Sequence, residues 1–316
     1  MGCAAMPQSA SDRPDDGSPA AGHSLFVSAQ DGLRLHVRAY GTRTNDALPV
    51  VCLPGLARTT ADFDALAAAL SSDRAHPRPV LTLDSRGRGK SDYDRKLANY
   101  NLQVELADVL SVLTALGIGQ AAFVGTSRGG ILTMLLAVAR PAAIAGCVLN
   151  DIGPVIDLEG LVRIKSYVGK LPQLPTFPTA ADALKRRFGS QFPKWGDDDW
   201  LAFARATFKD AGGRLVPDYD PKLATILEAI GPAEPLPTLW KEFDVLGRVP
   251  VMVIRGANSD ILSAATVEGM RKRRRALEVL EVPEEGHAPR LAGTPTIGRI
   301  AGFIASCDPA GSHHGS

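Results

Sequence analysis

The stretch FVGTSRGGIL, Phe123 to Leu132, decides how the rest of the chain is read. An aromatic and β-branched run ends at Gly125, Ser127 follows, and Gly129 and Gly130 open a helical pattern. In that pattern Ile131, Met134, Leu135 and Val138 share a face, and Pro141 stops it. Strand, tight turn and helix therefore meet at the serine. Glycines at 125 and 129 remove Cβ atoms that so sharp a turn would force into collision. A G-x-S-x-G pattern at a strand-to-helix junction is the mark of a nucleophile elbow. In that setting the Ser127 hydroxyl stands above the carboxyl ends of the strands, where open α/β sheets bind ligands. The backbone N–H of Arg128, at the helix N-terminus, is placed to stabilise an oxyanion.

A serine hydroxyl is a weak nucleophile without a base, and the base needs an acid to orient it. Of the six histidines, His23, His313 and His314 lie in terminal tails, His36 in an early strand and His76 in the loop DRAHPRP. His287, in PEEGHAPRL, follows the last strand and is the expected base. Two acids stand at carboxyl ends of strands: Asp260 in RGANSDILS and Asp151 in LNDIGP. Asp260 is preferred, because Gly256, Asn258 and Ser259 make a turn-rich loop suited to aiming a carboxylate. Asp151 is the alternative, with a bracing role as its other reading. The loop LPGLARTTADF should supply a second oxyanion donor. Pro54 has no N–H and Gly55 permits close approach, so Leu56 is the expected donor.

Working outward, SLFVSA and LRLHVRAY read as two strands joined at Asp31-Gly32. PVVCL, PVLTLD, AAFVG, AGCVLND, VPVMVIRG and ALEVLEV are further strands, several of them continuous apolar runs expected of a sheet buried on both faces. Leu102, Leu106, Val109, Leu110 and Leu113 mark one intervening helix, closed by Gly117. Thr294 and Pro295 start another that carries Ile297, Ile300 and Ile304. Alternating strands and helices predict an α/β fold with a mostly parallel, doubly wound sheet of about eight strands. From Ile152 to Thr238 the alternation fails. That region holds 10 of the 23 prolines and two of the three tryptophans, and it reads as a helical insertion. The expected organisation is a disordered tail over 1–23, a core over 24–151 and 239–306, an insertion over 152–238, and a flexible tail over 307–316.

Composition bounds the function. The 316 residues are 45% hydrophobic and carry a formal net charge of +1, which gives no bulk attraction to nucleic acid or anionic lipid. The basic run RKRRRAL, Arg271 to Leu277, reads as a solvated helix face. Cys3, Cys52, Cys147 and Cys307 show no CxxC spacing and fit a reducing, cytoplasmic setting. No stretch is long and apolar enough to span a bilayer. No HExxH or ligand-spaced Cys/His set appears, so neither metal nor cofactor is expected. Gly89-Lys90-Ser91 resembles the tail of a phosphate-binding loop, but Asp84 occupies the position where that motif needs glycine.

Taken in order, LPGLA, DSRGRGKSD, GTSRGG, RGANSDIL and GHAPRL resemble the α/β-hydrolase superfamily over Leu25 to Ile304. The resemblance implies the order Ser127, Asp260, His287 and a cap inserted after the sixth strand. The similarity is greatest to the capped carboxylesterase, enol-lactonase and carbon–carbon hydrolase group. Pro54 departs from the histidine that many members carry before the oxyanion glycine. Serine rather than aspartate at the elbow argues against the epoxide-hydrolase and dehalogenase branches. The function expected is hydrolysis of a small apolar or aromatic carboxylic ester through an acyl-enzyme on Ser127. A lactonase or carbon–carbon hydrolase using the same triad is the alternative, and a non-catalytic ligand-binding homologue is the second. The partner expected is a small-molecule substrate, with no nucleic acid. A homodimer stays open.

Overall fold

Short runs of aliphatic and β-branched residues without polar alternation form strands that are covered on both faces. The computed structural model describes residues 22–43, 47–228 and 236–309. Its strands are β1 (His23–Ser28), β2 (Arg34–Tyr40), β3 (Val50–Leu53), β4 (Val80–Asp84), β5 (Ala121–Thr126), β6 (Ile144–Asn150), β7 (Phe208–Asp210), β8 (Leu215–Pro217), β9 (Val251–Gly256) and β10 (Glu278–Val282). Eight of them make one sheet in the order β1-β2-β4-β3-β5-β6-β9-β10. β1 and β2 run antiparallel to their neighbours, and every pairing from β4 to β10 is parallel. The order reverses direction at β3. The chain leaves β3 for β4 on one side and returns to β5 on the other, which opens a crevice at the carboxyl ends of β3 and β5.

Alternate residues of each strand feed opposite cores. Val51 and Leu53 of β3 pack in one cluster, and Val50 and Cys52 in the other. The first cluster takes in α2 (Leu102–Ala115) and α3 (Arg128–Ala139); the second takes in α1 (Asp64–Ser71) and α9 (Thr294–Ala305). α3 lies centrally, and Leu132, Met134, Leu136 and Ala137 are among its buried residues, whereas Val138 is more than half exposed. The expected face of that helix is therefore rotated. On α2, Glu105 and Asp108 are buried alongside Val109, Val112 and Leu113. They are held by Arg88 and Arg86, which no hydrophobic pattern reveals.

The segment between β6 and β9 carries α4 (Leu158–Tyr167), α5 (Phe177–Phe188), α6 (Asp197–Thr207), the β7–β8 hairpin and α7 (Trp240–Val245). Among the described residues it is thus helical with one small hairpin. Ala180, Leu184, Phe192, Trp200, Phe208 and Leu215 form a separate small core there. The last helix before β10 is α8 (Ala264–Arg273), and the basic run begins in its last turn and continues past its end.

At the termini the boundaries move. His23 pairs with Ala39 inside β1. Asp308 accepts from Arg78 Nη2 (2.9 Å) and from the Leu48 N–H (3.0 Å), so the chain is anchored at that point. Cys3, His313, His314 and most of both expected tails lie outside the described residues. Among the described residues no helix is long and apolar enough to cross a membrane. Gly89 adopts φ +54, and a Cβ there would strike the Asp84 carboxylate. Lys90 N–H also donates to that carboxylate (3.1 Å), so the loop folds onto Asp84 instead of forming a phosphate cradle.

Candidate active site

Ser127 links β5 to α3 with φ +51 and ψ −115. Non-glycine residues rarely adopt this region, at a cost of roughly 1–3 kcal/mol. The surroundings enforce it. Ser127 N–H donates to Asn150 O (3.0 Å), and Ser127 O accepts from Gly130 and Ile131 N–H. A Cβ on Gly125 would come within 2.6 Å of the Gly130 backbone, and one on Gly129 would strike the Leu53 carbonyl. The two elbow glycines therefore let α3 settle directly on β3 and β5.

His287 reaches Ser127 from the loop after β10. Its Nε2 lies 2.8 Å from Ser127 Oγ, and its Nδ1 lies 2.8 Å from Asp151 Oδ2. The imidazole is 7% exposed and the Asp151 side chain is fully buried. Asp151 Oδ1 also accepts from Gly256 N–H (2.9 Å), and Oδ2 accepts from Ser259 Oγ (2.6 Å). Ser259 Oγ in turn accepts from the N–H groups of Ile261 and Leu262, which fixes its own proton toward Asp151. A carboxylate facing Nδ1 keeps the imidazole proton there, which leaves Nε2 as the acceptor for the serine proton.

The acid expected at this position was Asp260, and the structure places Asp151 there instead. The reason is sheet order. β5 and β6 are adjacent and in register, with Thr126 opposite Asn150, so the residues that follow them stand side by side. β9 lies one strand further out. Asp260 forms a two-point ion pair with Arg163 of α4, at 2.8 Å for the Nη2–Oδ1 contact. Burial pushes the Asp260 carboxyl up, but the Arg163 hydrogen bonds and charge outweigh it, and the group titrates below its usual range. Asp260 is thus a fastening between the core and the insertion.

The two expected oxyanion donors flank the same crevice. Arg128 is the first residue of α3, where backbone N–H groups have no intrahelical partner. Gly55 and Leu56 line the cavity with Ser127, and a Cβ placed on Gly55 would sit 3.7 Å from Ser127 Cβ. The Leu56 carbonyl accepts from Arg88 Nε (2.7 Å). Arg88 and the Arg128 side chain share Glu105, at 2.8 and 2.6 Å. Burial pushes the Glu105 carboxyl up, and the two guanidinium groups more than reverse this.

Ser127 and His287 open into a cavity of about 320 Å³ between the sheet and the insertion. Of the insertion aromatics, Phe188, Phe192, Trp195 and Phe203 line it. Trp200 and Phe208 are buried in the insertion's own core, and Phe177 packs against that core. Tyr167 and Tyr219 also line the cavity. Gln191 was missed in the sequence. Its Oε1 accepts from His287 N–H (3.2 Å), and its carbonyl accepts from Asn258 Nδ2 (3.2 Å), joining the insertion to two site loops.

A sheet with this topology, an elbow serine on its central strand and a histidine reaching it from the last loop define the α/β-hydrolase class. The model of the alpha/beta hydrolase family matches residues 50–295, and the chain belongs to that family. It is 32% identical over 283 residues to the 3-hydroxybutyrate-oligomer hydrolase of Cupriavidus necator, covering 86% of this chain and 94% of that one. It is 25% identical over 256 residues to the sn-1-specific diacylglycerol lipase of Mus musculus, covering 79% and 78%. A solved alpha/beta hydrolase from Novosphingobium aromaticivorans superposes with a TM-score of 0.84 at 40% identity, over 90% of this chain and 98% of that one.

Proposed function

We propose that the protein is a serine hydrolase of small carboxylic esters, with Ser127 as nucleophile, His287 as general base and Asp151 as the orienting acid. The observation that carries this reading is the unbroken chain from Asp151 Oδ2 through both imidazole nitrogens to Ser127 Oγ, with 2.8 Å at each link. Ser127 Oγ attacks the ester carbonyl as its proton passes to His287 Nε2. The oxyanion is held by the N–H groups of Leu56 and Arg128. The imidazolium, stabilised by Asp151, then protonates the departing alcohol, and an acyl group remains on Ser127. Water, activated by His287 in the same way, releases the acid.

The cavity favours a short apolar acyl group, because its walls are chiefly aliphatic and aromatic. The relative that hydrolyses 3-hydroxybutyrate oligomers matches across most of its length and supports an ester of a short acid. Hydrolysis of p-nitrophenyl esters from acetate to octanoate tests the reading. We expect turnover by the wild type, and a loss on the order of 10⁴-fold or more in kcat for Ser127→Ala. Equal rates for the two proteins would refute the serine assignment.

A further inference from the structure

Arg58 is the one cation on the oxyanion loop, and its surroundings give it more than a structural task. It lies three residues beyond Gly55. A Cβ on Gly55 would sit 3.4 Å from Arg58 Cγ and 3.7 Å from Ser127 Cβ, so the arginine stem starts beside the nucleophile. Only Cδ separates that stem from the guanidinium. It lies with its carbon 4.5 Å from the Phe203 ring centroid. Nη1 donates to Thr207 Oγ1 (2.6 Å), Nε donates to Asp62 Oδ2 (2.7 Å), and Nη2 donates to Asp62 Oδ1. Those bonds use three of the five N–H groups an arginine carries. Arg58, Asp62, Thr207 and Phe203 all line the cavity that holds Ser127 and His287.

We propose that Arg58 is a substrate-recognition residue that donates to a neutral oxygen on the acyl chain, such as a hydroxyl or a second ester carbonyl. This rests on the ester-hydrolase reading above and narrows its substrate class to oxygenated short acyl esters. Two arguments carry it. In a cavity whose walls are chiefly aliphatic and aromatic, and whose other guanidinium, Arg290, is engaged by Asp199 (2.9 Å), a guanidinium held rigid by Asp62, Thr207 and Phe203 is a preorganised donor. Its charge is already matched by the two-point contact with Asp62, so a neutral acceptor suits it better than a carboxylate, which would also face Asp62.

The test compares kcat/KM for p-nitrophenyl butanoate, 3-hydroxybutanoate and hemisuccinate in the wild type and in Arg58→Met. The wild type should prefer the hydroxy ester over butanoate on the order of 10-fold to 100-fold, the range of one hydrogen bond to a charged donor. It should disfavour the hemisuccinate. Arg58→Met should bring the hydroxy-to-plain ratio close to one. A wild type that does not discriminate overturns the proposal whether or not the variant folds. A variant that lowers both rates equally does so too, because Arg58 then merely fastens the loop to α6. A preference for hemisuccinate overturns the neutral-acceptor assignment. Failure of the underlying hydrolase reading looks different: none of the three esters is turned over.

Discussion

Replacing Asp151 by asparagine separates the orienting acid from its neighbour Asp260. The asparagine fills the same buried space, and its carbonyl can keep the bond from Gly256 N–H at 2.9 Å. Its amide then faces Ser259 and His287. Facing a donor, His287 Nδ1 must accept, so the imidazole proton moves to Nε2 and points at Ser127 Oγ. The base is lost in that tautomer, and so is the carboxylate that stabilises the imidazolium. The expected loss is about 10⁴-fold in kcat, close to 5.5 kcal/mol of transition-state stabilisation. Asp260→Asn leaves the relay intact and weakens the contact to Arg163. Because those side chains are 16% and 23% exposed, the cost is about 1–2 kcal/mol of folding stability. Its kcat should stay within about tenfold of the wild type. Steady-state kinetics with p-nitrophenyl butanoate, beside urea unfolding of each variant, reads both quantities. An Asp151→Asn enzyme within tenfold of wild type would refute the argument, as would an equal kinetic loss in Asp260→Asn.

The Arg163–Asp260 contact also predicts an acid dependence. The folded carboxyl titrates below its ordinary value of 3.8, so the unfolded chain binds that proton more readily. The stabilisation is therefore present above that ordinary value and is lost as pH falls through the lower folded one. Urea unfolding at about pH 6 should separate wild type from Asp260→Asn, and the gap should close toward about pH 2.5; a gap that widens in acid contradicts the direction. In the insertion, Trp200 is 1% exposed and contacts the Phe192 and Trp195 rings, so Trp200→Ala should cost about 3–5 kcal/mol and leave acyl-chain preference alone. Phe188 lines the cavity, so Phe188→Ala should shift the octanoate-to-acetate ratio of kcat/KM by about 10-fold or more. An unchanged ratio would remove Phe188 from the acyl site.

All eight strands of the main sheet were legible because each buried strand is a short apolar run bounded by turn residues. Ser127 and His287 were legible for a related reason: the elbow has a local pattern, and few histidines stand after strands. Asp151 and Asp260 look alike in sequence, since each ends a strand. Only the neighbour order β5-β6-β9 tells which acid stands beside the serine. Buried charge was hidden in the same way. Glu105 and Asp108 sit on a helix face whose period reads as solvated, and the arginines that hold them come from the loop after β4. The short β7–β8 hairpin was missed because two three-residue strands leave no alternation to detect.

The central claim is that Ser127 forms the covalent intermediate. Incubation with a fluorophosphonate, followed by intact-mass analysis and peptide mapping, tests it most directly. One adduct per chain is expected on the peptide that carries Ser127, with none on Ser127→Ala and slow labelling of Asp151→Asn. An unlabelled wild type that still hydrolyses esters, or an adduct that persists in Ser127→Ala, would contradict it.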